Sequence, residues 1–247
     1  MSWPLFKYFL KKNWMIWVGV TAFCLFELVA CVFLMDIVSD LPEEFLGGFG
    51  GESILEIMSI LLPMLMFMFP MIFIIFTIYR LVYRPIDSTL SPTLAAGVKR
   101  TTYLTTAAVF LVVSLFLMFS VVFTVIGASM LYYGSFNWTV WLKVNFVAFV
   151  VLLSVALTGF LFAAAFAPGN IGKLGMFGFP VFCLAVLILA GYIDFFKWLT
   201  PFGWIDFTKV YDGSMTLWWL WALLYLLGAG VIYVGSLFLF KRRQLSI

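Results

Sequence analysis

Six stretches of the chain stay apolar for roughly 18 residues or more: about 14–35, 54–79, 104–131, 139–167, 176–193 and 217–240. About 20 helical residues cross the hydrocarbon of a bilayer, so each stretch predicts a spanning helix. The fifth is the shortest. A barrel strand would alternate apolar and polar positions over about ten residues. Runs such as TAAVFLVVSLFLMFSVVFTVIGASM, residues 106–130, are instead apolar on every face. The expectation is an all-α polytopic membrane protein of six transmembrane helices, one transmembrane domain over residues 1–247.

The polar intervals differ in kind. Residues 2–12, SWPLFKYFLKK, set Trp3, Leu5, Phe6, Phe9 and Leu10 among three lysines, a pattern that suits a short helix lying in the interface. Residues 36–53, DIVSDLPEEFLGGFGGES, form an acidic, glycine-rich loop. PGNIGKLG, residues 168–175, reads as a tight turn. The interval 194–215 is long, aromatic and broken at Pro201 and Gly203, which predicts one or two short helices at the membrane surface.

The most informative interval is RPIDSTLSPTLAAGVKR, residues 84–100. Ile86, Leu90, Leu94 and Val98 recur every four residues, a stripe that a helix could gather along one side. Ser91 is a good N-cap, Pro92 suits the first helical position and Gly97 suits the stop. A connector this long exceeds what antiparallel neighbours need. A short capped helix with an apolar edge fits a groove in a soluble partner.

Composition excludes a water-soluble fold. The 247 residues are 65% hydrophobic and 10% charged, with mean hydropathy +1.17; a soluble domain carries about a quarter charged residues. Charge also predicts orientation. With the N-terminus inside, eleven of the fourteen basic residues fall on the inner side, and only Lys143, Lys197 and Lys209 fall outside. The positive-inside rule therefore places both termini in the cytoplasm.

The chain has no histidine, which excludes Ser-His hydrolases, HExxH metalloproteases and histidine-ligated haem. No GxxxxGK[ST] phosphate loop is present; GNIGK at 169–173 has the wrong spacing. The chain is expected to be no enzyme, with no metal site, cofactor or nucleic-acid partner of its own. Cys24, Cys31 and Cys183 lie inside spans and read as small hydrophobes. LVAC at 28–31 resembles a lipoprotein-processing site, but Glu27 interrupts the apolar stretch before it, so cleavage is not expected.

Few residues offer a transport pathway. Glu27, past the middle of span one, is costly in hydrocarbon and is either a pathway group or a protonated acid bonded to another helix. Glu56 falls near the outer end of span two. In the same span Pro63 and Pro70, seven apart, share a helical face, and Met64, Met66, Met68 and Met71 surround them. Such thioethers suit either a surface for variable apolar cargo or ordinary packing. Gly228, Gly230 and Gly235 in span six would permit close helix approach, within the subunit or across a dimer.

Several segments resemble the type-2 membrane permeases of ATP-binding-cassette exporters, especially those of Gram-positive bacteria. PLFKYFLKKNWMIWVG (4–19) resembles their opening and TLSPTLAAGVKRTTYLTT (89–106) their loop after span two. LTPFGWIDFTKVYDGS (199–214) is similar to the segment before their last span, and FKRRQLSI (240–247) to their basic ending. Two departures are visible: Gly97 stands where that loop usually has Pro, and Ser88-Thr89 replaces Gly-Ser or Gly-Thr.

The resemblance implies a plasma-membrane subunit that pairs with a second permease, identical or paralogous, and receives two cytoplasmic ATPase subunits that carry ATP and Mg. It assigns ATPase coupling to Pro85, Ile86, Asp87, Ser88, Thr89, Leu90, Pro92, Leu94, Val98, Lys99 and Arg100, and an outer gate to Pro201, Phe202, Gly203 and Trp204. Family members move drugs, peptides, glycans and lipids. Two other readings stand beside it. One is a stand-alone ion- or proton-coupled transporter or channel using Glu27; the other is a membrane scaffold or immunity protein that transports nothing.

Overall fold

A computed structural model describes residues 1–39, 67–88, 98–133, 137–190, 193–199, 201–205, 209–210 and 213–242. These residues are helical, with no strand among them. Helix α1 is Trp3–Ser39, α2 covers 67–88, and α3 is Arg100–Tyr133. Helix α4 is Trp138–Phe166, α5 covers 170–190, and α6 is Trp218–Arg242. Each contains a segment long and apolar enough to cross a membrane, which makes six.

The borders differ from the sequence expectation in several places: α2, expected to end near 79, runs on through 88, and two further differences have a clear packing cause. Where a separate interfacial helix was expected over 2–12, the chain forms the first turns of α1, whose 37 residues are continuous. Packing explains the continuity. Phe9 is buried, edge-on to Tyr103 at 5.6 Å and to Phe110 at 6.2 Å, so this turn is held against α3. The Ser2 amide also donates to Thr106 Oγ1 at 3.0 Å.

The second of these is the tight turn expected at 168–175. The turn is confined to 167–169, where Gly169 N bonds Phe166 O at 2.8 Å; the Ala167–Pro168 peptide is cis. Helix α5 then begins at Asn170. Gly172 and Gly175 are helical and serve close approach. A Cβ on Gly172 would sit 2.8 Å from Ala167 N, and one on Gly175 would sit 2.1 Å from the Phe162 ring.

At the start of α4, Asn137 is the cap: its side-chain oxygen accepts from the amides of Thr139 at 3.0 Å and Val140 at 3.3 Å. The two most extensive helix pairings among the described residues, α4 with α6 and α1 with α3, join helices that are not neighbours in sequence.

Helix α4 is the axis of the bundle, contacting α2, α3, α5 and α6. The main core gathers Phe73, Ile74, Phe110, Val151, Phe160 and Met176 around it. A smaller cluster at the far end joins Cys24, Leu28, Phe69, Val122 and Trp141. Two indoles tie helices through main-chain oxygens: Trp17 Nε1 donates to Ser114 O at 2.9 Å, and Trp141 Nε1 to Phe123 O at 3.0 Å. Buried hydroxyls turn back on their own helices, as Thr106 does to Thr102 O at 2.7 Å and Ser236 to Tyr233 O at 2.6 Å.

Candidate functional site

One end of the bundle collects ten of the thirteen described basic residues. Lys7, Lys11 and Lys12 lie on the first turns of α1, Arg80 and Arg84 on the last turns of α2, and Lys99 and Arg100 at the start of α3. Lys173 opens α5, and Lys241 and Arg242 close α6. Here α2 leaves the bundle through a π-turn, Tyr79–Tyr83, followed by the helical residues Arg84–Ser88. A second π-turn, Leu174–Gly178, lies in α5. The wider π-turn loosens the main-chain ladder and often marks functional sites.

The two π-turns meet across α4. Tyr79 stacks on Tyr83 at 5.9 Å and lies 5.9 Å from Phe177 of the second turn. Gly159 of α4 makes room: a Cβ there would be 3.4 Å from Ile78 Cδ1 and 3.7 Å from Met176 O.

Three tyrosine and lysine contacts latch the end of α2. Tyr103 of α3 donates from its hydroxyl to Leu81 O inside the π-turn, at 2.7 Å. The Tyr83 hydroxyl donates to Pro168 O in the turn between α4 and α5. Lys173 Nζ sits 6.0 Å over the Tyr83 ring. The tail of α2 is thus tied to α3, to the turn between α4 and α5, and to the start of α5. Interiors packed like this transmit small shifts because they deform little.

The described members of the expected coupling set fall near this latch. Pro85 is buried, while Ile86 and Val98 are half-buried and pack on the main core. Lys99 is exposed, and Arg100 opens α3 half-buried. Asp87 and Ser88 belong to the short helix after the π-turn. Thr89, Leu90, Pro92 and Leu94, with the expected helix from Ser91 to Gly97, lie outside the described residues. Both described borders of the interval are thus anchored, one by Ile86 and the other by Val98.

Of the pathway candidates, Glu27 and Pro70 fall among the described residues. Glu27 is half-buried on α1, beside buried Leu28 and one turn from buried Cys24. Glu56, Pro63, Met64 and Met66 lie outside the described residues. Pro70 is buried in α2; Met71 is buried in the main core, and Met68 packs half-buried on the smaller cluster.

At the opposite end, Asp194–Leu199 and Pro201–Trp204 form two short 3₁₀ turns. The carbonyl of Pro201 accepts from the Tyr225 hydroxyl of α6. Trp204 Nε1 donates to Trp198 O at 2.9 Å, and its ring lies 6.1 Å from Tyr225. Phe202 and Gly203 complete the second turn. Ile205 and Val210 are buried in the main core, which fixes this segment to the bundle.

Sequence reasoning missed Tyr79, Tyr83, Tyr103 and Lys173. A signal existed in YRLVYRP (79–85) and in Tyr103 three residues beyond Arg100. A tyrosine at the edge of an apolar span buries its ring and needs a partner for its hydroxyl. Among the described residues no cluster of His, Cys, Asp or Glu is placed to hold a metal ion. Comparison with protein-family models, curated proteins and solved structures finds no match for this chain.

Proposed function

We propose that the chain is the membrane-spanning permease subunit of an ATP-driven exporter of the ATP-binding-cassette kind. In this reading both termini and the interval 84–100 face the cytoplasm of a bacterial cell. Two ATPase subunits dock on the interval, and a second permease completes the path. The cargo is amphipathic or hydrophobic, a peptide, drug or lipid-like molecule, and leaves from the cytoplasm or the inner leaflet. ATP and Mg act on the partner subunits.

The latch carries the reading. Tyr103–Leu81 and Tyr83–Pro168 tie the entrance of the interval to α3 and to the turn between α4 and α5. Closure of an ATPase dimer would push on residues 84–100, and the latch would pass that push to α3, α4 and α5 as a rigid-body rearrangement. The 3₁₀ turns tied to Tyr225 would close the far side.

The test is co-purification of the ATPase with the membrane-inserted chain. Replacing both Leu90 and Leu94 with Asp is expected to abolish it while leaving insertion intact. Undiminished ATPase on the double variant would remove the coupling assignment.

A further inference from the structure

Helices α3 and α6 both rest on α4 but part from each other above it. Between them runs an open, almost wholly apolar groove of about 340 Å³, with Leu153 and Leu157 of α4 as its floor. Its walls are set back because the side chains are small: Ala108 on α3, and Ala229 and Gly230 on α6. A Cβ at Gly230 would meet nothing within 4 Å. That volume lies at the lower end of small-molecule sites. Apart from Tyr233 at one end, its lining offers water no hydrogen-bond partners, so a hydrocarbon occupant is favoured over a polar one.

The chemistry changes along the groove toward the basic end of the bundle. Tyr233 lines it there, and its hydroxyl donates to Thr105 Oγ1 at 3.1 Å, both side chains half-buried. Beyond this pair the same face of α3 brings Thr101 and Thr102. On α6, Lys241 follows Gly230 by eleven residues, close to three whole turns, and so returns to nearly the same face. Lys241 is exposed at the end of α6, next to exposed Arg242, and Lys99 and Arg100 stand at the start of α3.

The order is apolar, then hydroxyl, then cationic. A phospholipid reads in that order from acyl chain through ester linkage to phosphate. The geometry points to a site for one anionic phospholipid from the leaflet at the basic end of the bundle. One acyl chain lies in the groove over Leu153 and Leu157, the ester region meets the Tyr233–Thr105 pair, and the headgroup is drawn to Lys241. Net negative charge is required because the headgroup sits among cations, which attract anionic lipid. A zwitterionic lipid would gain the acyl contact alone. A second copy of the chain could fill the apolar part but would leave the charge gradient unused. The inference does not depend on the exporter reading.

The test is native mass spectrometry of the full chain, released from detergent with phosphatidylglycerol or with phosphatidylcholine of identical acyl chains. One phosphatidylglycerol per chain should be retained in clear preference to phosphatidylcholine. Lys241→Gln should cut phosphatidylglycerol retention about fivefold, the effect of one cation near an anionic surface, and leave phosphatidylcholine unchanged. Gly230→Leu fills the groove and should lower both; an unchanged unfolding midpoint certifies that this variant folds. Equal retention of the two lipids overturns the inference. So does wild-type phosphatidylglycerol retention by Lys241→Gln, which carries the test alone if Gly230→Leu misfolds. A lipid-free dimer that Gly230→Leu disrupts would assign the groove to a second copy instead.

Discussion

Helices α4 and α6 are close in mean hydropathy, 2.6 and 2.1 for their spans, yet 72% of the α4 span is buried and only 22% of the α6 span. The difference lies in side-chain size and placement. Helix α4 buries Ala148, Ser154, Ala156, Gly159, Ala163 and Ala164, so partners approach it from several sides. Small residues make such approaches possible in a membrane, where hydrophobicity alone gives no drive for one helix to choose another. Helix α6 carries glycines too, but Gly228, Gly230 and Gly235 have open space where a Cβ would stand. Among the described residues they bring no helix closer. The buried face of α6 is instead Ala222, Tyr225, Ala229, Ser236 and Phe240.

The largest effect should separate the two helices directly. Gly159→Leu would drive a branched side chain between Ile78 and Met176 and is expected to cost about 1–3 kcal/mol, the usual range for overpacking. Gly228→Leu, with nothing in its way, should stay within about 0.5 kcal/mol. Unfolding by sodium dodecyl sulfate in mixed micelles, followed by circular dichroism, reads both. Equal losses would break the contrast between axis and periphery.

A smaller effect tests the latch around the axis. Tyr103→Phe removes the donor to Leu81 O and should cost about 1 kcal/mol. Tyr83→Phe acts on Pro168 O, and both ties hold the tail of α2. The double variant should therefore lose less than the two single losses added together, measured by the same unfolding midpoints. Strict additivity would mean that the ties act separately and that the end of α2 is no single lever.

These contrasts also show what the chain reveals before it folds. All six spans are legible because a bilayer-crossing helix must be long and apolar, and each apolar run here ends at charges or glycines. The order of burial is not legible. Lipid-facing and protein-facing positions are equally apolar, as Val231 at 73% exposed and Val151 at 0% illustrate. The residues of PGNIGKLG looked like turn punctuation because glycine serves turns and close contacts alike. Only the position of Phe162 distinguishes the two uses at Gly175. Of the four-residue stripe, Ile86 and Val98 are described, and both pack on the main core. The tyrosines that hold the tail of α2 were not legible, because their hydroxyls bond main-chain oxygens far away in sequence, 22 residues for Tyr103 and 85 for Tyr83.

Below the latch in size comes a tie at the periphery. Trp17→Phe removes the indole donor to Ser114 O, which joins α1 to α3. Hydrogen bonds between helices in a membrane average about 0.6 kcal/mol, and the ring itself is largely kept. A shift of that order in the unfolding midpoint is expected. A shift as large as that of Gly159→Leu would place α1 among the determinants of the core, although only 22% of its span is buried.

The smallest effect expected is the most discriminating. Gly228→Ala adds a single methyl on the outward face of α6, where nothing stands within 4 Å. In the isolated subunit the change only restricts the backbone and improves helix propensity, worth up to about 1 kcal/mol in water and less where lipid already enforces the helix. The unfolding midpoint of the purified single chain should therefore stay level or rise slightly. In the exporter reading a second permease lies against some face of this subunit, and Gly228 and Gly235, seven residues apart on one side of α6, offer one where two helices could approach closely. If that face is α6, Gly228→Ala should weaken subunit association, read by cross-linking in membranes, while leaving the single chain intact. Unchanged cross-linking would keep α6 against lipid and move the search for the partner face to α1 or α5, the other two weakly buried spans.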